Sequence, residues 1–552
     1  MTRLLTMKNL VIEGFQKETW SQIVSGVDLH VDRGEVMGLI GESGAGKSTI
    51  GIASMGFCRP GCRIVNGSIQ FGDTEMTMAS DAVLRRIRGV RISYVAQSAA
   101  ASFDPAHRLI RQHAEAPVRH GIMSHTEAEL HARELYRRFD LPDPDTIGNR
   151  FPHQVSGGQL QRAMVAMAMA CKPDLIVFDE PTTALDVTTQ IEVLATIKEA
   201  IRDLNSAAIY ITHDLAVVAQ VADRIMVLRH GKVVEEGPSR ALLASPKEDY
   251  TRALLSVRKG GGTKIPHRHE GEPLLDIEGV TAAYGGGPPV LQDVNLRLTR
   301  GKTVALVGES GSGKSSLARV ITGLLPPARG SIAFDGAELP AKLGDRQKET
   351  LRRIQMIYQM PDVALNPRQK VHEILGRPVE FYFGTRGTEK RRRVAELLEQ
   401  IELSDHYLTR FPSELSGGEK QRVCIARALA TKPDLIICDE VTSALDQLVA
   451  KEILKLLQRL QNELGVSYLF ITHDLATVKA IADEIVVMLQ GKVVEHGTRE
   501  EVLTPPHHEY TELLLASVPE MDPDWLDNLL KTRVGAKLRE GPASERLSRI
   551  ER

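Results

Sequence analysis

The chain has 552 residues, 42% hydrophobic and 25% charged, and 69 basic against 71 acidic residues leave a net charge of −2. At about 150 residues per domain that is two large domains or three to four small ones, and a near-neutral balance lacks the basic footprint of a nucleic-acid binder. No run approaches the ~18 apolar residues of a membrane span, MTRLLTMKNLVIEG has no signal-peptide apolar region, so the chain is expected in the cytoplasm, and the scattered Cys58, Cys62, Cys171, Cys424 and Cys438 read as reduced thiols rather than a disulfide framework.

In chain order, the apolar run Val36 to Ile40 ends at Gly41-Glu-Ser-Gly-Ala-Gly46-Lys47-Ser48. This fits G-x-x-x-x-G-K-[ST] and predicts strand, loop, helix. Leu175 to Phe178 reads as a buried parallel strand ending at Asp179-Glu180, and Ala208 to Thr212 as a strand ending at His213. Arg258 to Glu272, RKGGGTKIPHRHEGE, is Gly-rich and polar without apolar periodicity, hence a flexible linker in which His267 and His269 are solvated. Thr303 to Val307 then leads into Gly308-Glu-Ser-Gly-Ser-Gly313-Lys314-Ser315. Val394, Leu397, Leu398 and Ile401 fall at i, i+3, i+4, i+7 and mark one face of a helix. Leu435 to Cys438 ends at Asp439-Glu440, and Tyr468 to Thr472 ends at His473. After Pro519 a tail of mixed charge runs to Arg552, and WLDNLLKTRVGAKL in it has the pattern of a surface helix or a partly disordered end.

The chain is one sequence written twice. Lys47 matches Lys314 at an offset of 267, while VSGGQLQR matches LSGGEKQR, LIVFDE matches LIICDE and ITHDLA recurs, each at an offset of 260. Constant offsets over such distances mean two copies of one domain. The expected division is a first domain over 1–258, a linker over 259–272, a second domain over 273–519 and a tail over 520–552.

The motifs carry a chemistry. Gly41, Ser43, Gly44, Ala45 and Gly46, with Gly308, Ser310, Gly311, Ser312 and Gly313, turn backbone N–H groups into one concavity, and the following helix start adds positive potential, so a polyphosphate fits there. Lys47 and Lys314 reach the β and γ phosphates. The Ser48 and Ser315 hydroxyls are Mg²⁺ ligands, with Thr49 and Ser316 beside them. Asp179 and Asp439 complete the Mg²⁺ shell through water, and Glu180 and Glu440 polarise the water that attacks the γ-phosphate. A carboxylate pair at a strand end also serves as a helix cap, but its place behind a P-loop favours catalysis. His213 and His473, each 33 residues beyond the glutamate, are placed to hydrogen-bond the γ-phosphate and sense its loss.

SGG-Q/E-x-Q-R between a P-loop and a DE strand resembles the signature of ABC-type ATPases. The resemblance covers about residues 5 to 518 and extends to a glutamine loop at Gln97 and Gln359 and a D-loop at Ala184 to Asp186 and Ala444 to Asp446. It implies an α/β fold: two P-loop ABC ATPase domains in tandem, each a mostly parallel sheet core with an antiparallel β part and a helical subdomain. It further implies that the domains pair head to tail within the chain, each ATP lying between one P-loop and the other signature. Site one then joins Lys47, Gln97, Asp179, Glu180 and His213 to Ser416 and Gly418. Site two joins Lys314, Gln359, Asp439, Glu440 and His473 to Ser156 and Gly158. Gly157, Gln159, Gly417 and Glu419 complete the signatures, and Gln97 and Gln359 are further ATP and Mg²⁺ contacts. Adenine in such proteins stacks on an aromatic upstream of the P-loop; Tyr284 fills that slot in the second copy, and Phe15, with Trp20 as the alternative, in the first.

EDYTRALLSV (Glu248 to Val257), HEYTELLLASVP (His508 to Pro519) and ALNP (Ala364 to Pro367) resemble features of ATP-binding subunits of dipeptide, oligopeptide and nickel importers. The resemblance implies ATP hydrolysis coupled to import, most simply of peptides, with nickel, opine or oligosaccharide cargo as alternatives. The implied partners are two permease subunits and a solute-binding protein, with the chain peripheral on the cytoplasmic membrane face. Phe103-Asp104-Pro105 in the first copy departs from ALNP, where the family contacts its permease, so non-identical permeases are expected. Some relatives carry an iron–sulfur cysteine cluster after this segment; none is expected here. A soluble twin ATPase of translation or DNA repair is disfavoured by the short Gly-rich linker, the lack of zinc-type cysteine clusters and a pI of 6.8, and an exporter by the YTRALL-type tails.

Overall fold

The computed structural model describes residues 2–16, 18–182, 185–259, 272–443 and 445–532. Residues 260–271 of the linker and those beyond 532 in the tail lie outside the described residues, as do Ala184 and Ala444 of the two D-loops. The described residues fall into two compact units, one running up to Ser256 and taking in those from Ser517 onward, the other from Val257 to Ala516.

In the first unit a six-stranded sheet runs in the order Lys232–Pro238, Arg224–Arg229, Val36–Gly41, Ala207–Ile211, Leu175–Asp179, Ile92–Val95. All neighbours are parallel except the first pair. Its central strands are apolar runs with every residue buried, VMGLIG and AAIYI, because both faces are covered and alternation would bury polar groups. A separate four-stranded antiparallel sheet contains Thr19–Asp32, Arg3–Gln16, Cys62–Phe71 and Thr74–Glu75. The Thr19–Asp32 strand alternates over its inner half, Val27, Leu29 and Val31 buried and their neighbours not, since only one face meets the core. Leu5, Val24, Ile50, Leu39 and Ile209 belong to one cluster, so the helix Lys47–Ala53 is locked between the two sheets. Truncating Leu39, fully buried there, to alanine would cost about 2–5 kcal/mol. Helices Leu109–Arg119, His125–Arg138 and Gly157–Met169 pack against one another as the helical part.

The second unit repeats this. Its six strands run Ile354–Ile357, Leu435–Asp439, Ser467–Ile471, Thr303–Val307, Glu484–Leu489, Lys492–Thr498, and its antiparallel sheet Pro289–Thr299, Pro273–Ala283, Arg329–Phe334, Ala337–Glu338. Val394, Leu397 and Leu398 are buried on helix Gly387–Gln400 and Ile401 closes it, as the spacing predicts.

Residues beyond Ser517 complete the first unit. The buried Gln220 on helix Leu215–Val221 donates through Nε2 to the carbonyls of Glu520 and Asp522 at 2.7 and 3.0 Å, and its Oε1 accepts from the Leu526 N–H at 3.0 Å. Arg240 grips Asp524 through both terminal nitrogens, and Lys198 lies 2.9 Å from Asp527. The short helix here is Trp525–Leu529, with Leu526 fully buried.

Candidate nucleotide sites

Each six-stranded sheet delivers the candidate site residues beyond the carboxyl ends of its parallel strands, the usual ligand position in such sheets. Strand Val36–Gly41 enters its loop at Gly41, whose φ of +148° and whose absent Cβ, which would sit 2.1 Å from the Leu228 carbonyl oxygen, admit only glycine. Gly308, with a φ of +151° and the Met488 oxygen 2.3 Å from such an atom, repeats this. Ser43 to Gly46 and Ser310 to Gly313 form the loops, and helices Lys47–Ala53 and Lys314–Ile321 follow. Lys47 Nζ donates to the carbonyls of Gly41 and Glu42, both at 2.8 Å, and Lys314 Nζ to those of Gly308 and Glu309 at 2.8 and 2.7 Å. An ammonium is thus pinned at the centre of each glycine-rich concavity, the arrangement that binds polyphosphate. Thr49 and Ser316 stand on the first helical turns.

Directly after the lysines, Ser48 Oγ donates to Asp179 Oδ1 at 2.7 Å and Ser315 Oγ to Asp439 Oδ1 at 3.1 Å. Burial pushes the Asp439 carboxyl up and Glu440 adds to this, against the opposing pull of Ser315 and Lys314. Glu180 and Glu440 adopt left-handed backbone with φ of +49° and +51°, while their N–H groups bond the carbonyls of Ile211 and Ile471 at 2.9 Å. Such a conformation costs a non-glycine residue about 1–3 kcal/mol.

Each glutamate is held from two sides. Gln97 Nε2 donates to Glu180 Oε2 at 3.0 Å and Gln359 Nε2 to Glu440 Oε2 at 2.5 Å. His213 Nδ1 and His473 Nδ1 stand 3.3 Å from the other carboxylate oxygens. Burial alone would lower both histidines, but the glutamate partners outweigh it and hold them above the ordinary range. Glu440 is correspondingly held low: burial opposes, and His473 and Lys314 prevail. The glutamine amides meet the glutamates, not the serine–aspartate pairs.

The signature helices Gly157–Met169 and Gly417–Leu429 each open with a capping box. Ser156 Oγ accepts from Gln159 N at 3.3 Å while Gln159 Oε1 accepts from Ser156 N at 3.1 Å. Ser416 and Glu419 do the same, and the Tyr407 hydroxyl donates to Glu419 at 2.5 Å. A Cβ on Gly158 would lie 2.3 Å from Thr189 Cγ2, and one on Gly418 2.5 Å from Val449 Cγ1, so these glycines let two helices touch. One on Gly157 would meet no described atom within 4 Å, and one on Gly417 only Leu445 at 3.6 Å, leaving the outer face of each signature open.

Tyr284 reaches the second P-loop helix: its hydroxyl lies 3.3 Å from Ser316 Oγ and accepts from Arg319 at 3.0 Å. Phe15 and Trp20 instead pair with each other across their strands, ring centres 5.2 Å apart, and Arg63 covers the Trp20 ring.

Two features escape the motif reading. In the first unit the Tyr94 hydroxyl donates to Asp179 Oδ2 at 2.5 Å, with Arg59 3.9 Å from the same oxygen. Burial and the Asp179 contact hold that phenol well above its ordinary range. The second copy carries Met356 three residues before its loop glutamine, where the first carries Tyr94, so the repeat gave no sign of it. Secondly, the tyrosines of the two YT motifs meet the P-loops. Tyr250 Oη accepts from the Glu42 N–H at 3.2 Å and Tyr510 Oη from the Glu309 N–H at 2.7 Å.

A family profile described as ABC transporter matches residues 24–183 and 291–443, and one described as oligopeptide/dipeptide transporter, C-terminal region, matches residues 494–542. The glutathione import ATP-binding protein GsiA of Salmonella choleraesuis (strain SC-B67) is 37% identical over 545 residues, 91% of this chain and 87% of its own. The protein of that name from Escherichia coli (strain K12) is 36% identical over 561 residues, 94% and 90%. Among solved structures, cbiO1 from Clostridium perfringens, part of the ABC transporter complex cbiONQ, aligns with 42% of this chain and 91% of its own at 31% identity and a TM-score of 0.39.

Proposed function

The chain belongs to the ABC transporter family, as an ATP-binding ATPase subunit of an importer of the oligopeptide and glutathione type, and from that premise we propose that it energises uptake of di- and oligopeptides through two membrane permeases fed by a solute-binding protein. The observation that carries this is the joint presence of two complete lysine–aspartate–glutamate–histidine sets and the importer-type C-terminal segment at residues 494–542.

In the proposed cycle the two domains, 1–258 and 273–519, close on two ATP molecules. Site one joins Lys47, Gln97, Asp179, Glu180 and His213 to Ser416 and Gly418, and site two joins Lys314, Gln359, Asp439, Glu440 and His473 to Ser156 and Gly158. Each lysine exchanges its loop carbonyls for phosphate oxygens. Each glutamate orients and deprotonates the attacking water, a role worth about 10²–10⁴ in rate. Each histidine, whose hold on its proton that glutamate strengthens, donates to the γ-phosphate and lets go when it leaves. The hydroxyl–carboxylate pairs Ser48–Asp179 and Ser315–Asp439 are hard oxygen donors that suit Mg²⁺ shared with phosphates. Mg²⁺ bound there would neutralise the charge that develops on the phosphates.

No described helix is long and apolar enough to cross a membrane, and we place the chain on the cytoplasmic face, held by its permeases. A cavity of about 270 Å³ in the second unit, lined by Leu324, Leu343, Arg346, Tyr358 and Tyr382 beside the glutamine loop, supports a permease helix docking there. Counted from the helix starts Leu109 and Val371, whose N–H groups bond the Arg150 and Arg410 carbonyls, Phe381-Tyr382-Phe383 of the second unit stand where the first has Arg119-His120-Gly121. That difference favours two non-identical permeases. The test is affinity purification of the tagged chain from native membranes with mass spectrometry of its partners. Two different multi-span proteins and a solute-binding protein are expected; ribosomal or DNA-repair partners would overturn the transport reading and leave the ATPase intact.

A further inference from the structure

We propose that Tyr250 and Tyr510 are positioning residues for ATP binding, each using its hydroxyl to fix the P-loop of its own unit, so that the C-terminal tyrosine motif is part of the nucleotide site. The inference rests on the ATPase reading but not on the nature of the cargo.

The contact falls at a decisive point of the loop. Glu42 and Glu309 follow the glycines of φ +148° and +151° that turn the chain out of the strand. The N–H of each is bonded by a phenol 208 or 201 residues away, Tyr250 or Tyr510. The carbonyl of the same residue accepts from the P-loop lysine, Lys47 at 2.8 Å and Lys314 at 2.7 Å, and from a loop N–H, Ala45 at 3.1 Å and Ser312 at 3.2 Å. Hydroxyl, peptide and ammonium therefore form one short series, and the phenol sets the residue that the lysine grips while the loop waits for phosphate.

A tyrosine at this position could serve merely as an aromatic core residue, since Tyr250 is 8% and Tyr510 3% exposed. Packing alone does not account for the hydroxyl, which a phenylalanine would lack. The packing around the two rings differs: Arg229 lies 4.6 Å from the Tyr250 ring centre, whereas Leu489 holds the corresponding strand position in the second unit. What both units keep is the bond from phenol to loop N–H. Burial and the neighbouring Glu42 carboxylate keep the Tyr250 phenol protonated and uncharged, as a neutral acceptor requires.

The test is the full-length chain carrying Y250F, Y510F or both, compared for ATP KM, kcat and thermal midpoint with and without nucleotide. Removing two oxygens is expected to raise KM roughly fivefold or more, the factor one neutral hydrogen bond carries. The kcat is expected to stay within about twofold, because the bond acts in ground and transition states alike. The nucleotide-induced rise in midpoint should shrink with it. A lower midpoint with unchanged KM and undiminished nucleotide protection would reduce the tyrosines to packing and overturn the proposal. If the double variant does not fold, each single variant is read by its nucleotide protection on the same terms. Wild-type chain that fails to bind ATP would instead sink the ATPase reading itself.

Discussion

His473 Nδ1 stands 3.3 Å from one carboxylate oxygen of Glu440, and Gln359 donates at 2.5 Å to the other. The general-base candidate is therefore fixed before any water arrives, and His213, Glu180 and Gln97 repeat the arrangement. Replacing both glutamates, E180Q with E440Q, is expected to lower ATP turnover by about 10²–10⁴ while leaving ATP binding in place. Filter-bound ATP and phosphate release measured on the same sample check this. Turnover surviving both changes would remove the glutamates from the base role.

Asp179 is engaged by Tyr94 and approached by Arg59, whereas Asp439 has neither partner at the equivalent positions. A phenol hydrogen bond draws electron density from the carboxylate that Mg²⁺ needs. In a chain whose second site is silenced by K314A, adding Y94F is expected to lower the Mg²⁺ concentration for half-maximal nucleotide binding about tenfold, in keeping with a charge-assisted hydrogen bond. An unchanged or higher Mg²⁺ requirement would show that Tyr94 does not compete with the ion.

The signature glycines are predicted to separate by role. G158A forces a methyl to within 2.3 Å of Thr189 Cγ2 and should destabilise by about 1–3 kcal/mol. G157A, which meets no described atom within 4 Å, should leave the thermal midpoint unchanged. If it lowers turnover nonetheless, Gly157 works through what docks on it.

His113 lies in the first unit's helical part with neither ring nitrogen bonded among the described residues, and burial together with His131 lowers it to about 3. A histidine depressed on folding binds its proton more readily in the unfolded chain. Stability is therefore complete above the unfolded value of 6.5 and falls as pH drops from there toward about 3. H113L, which copies the buried Leu375 at the corresponding position, should remove that fall. Each kcal/mol recovered at pH 5 moves the midpoint about 2–4 °C, and melting at pH 5 and pH 7.5 reads it.

What the sequence disclosed is what the two copies share. Lys47 and Lys314, the DE pairs and the histidines recur at fixed offsets, and the structure places each at the edge of a parallel sheet, as expected of this family. Tyr94 was hidden because its counterpart is Met356. The tyrosines of the YT motifs were visible as words but not as contacts, since some 200 residues separate them from the loops they bond. Gln159 and Glu419 illustrate one pattern with two meanings: S-x-x-Q/E is also the capping box of a helix start, and both side chains occupy that role here. The first adenine-stacking aromatic stayed ambiguous for a reason of register. Leu10 pairs with Val27 as Val280 pairs with Val294, and four residues on, Gly14 stands where the second unit has Tyr284.

The bonds that close over Gln220 come from residues 300, 302 and 306 positions later. At about 5–20 residues per second of synthesis, roughly 15–60 s pass between the appearance of Gln220 and that of its partners. Throughout that interval the seat of Leu526 is bare and the newborn first unit lacks these contacts. Separating the two halves would leave those contacts to be made in trans, so the covalent link keeps the segment that completes the first unit tethered to it.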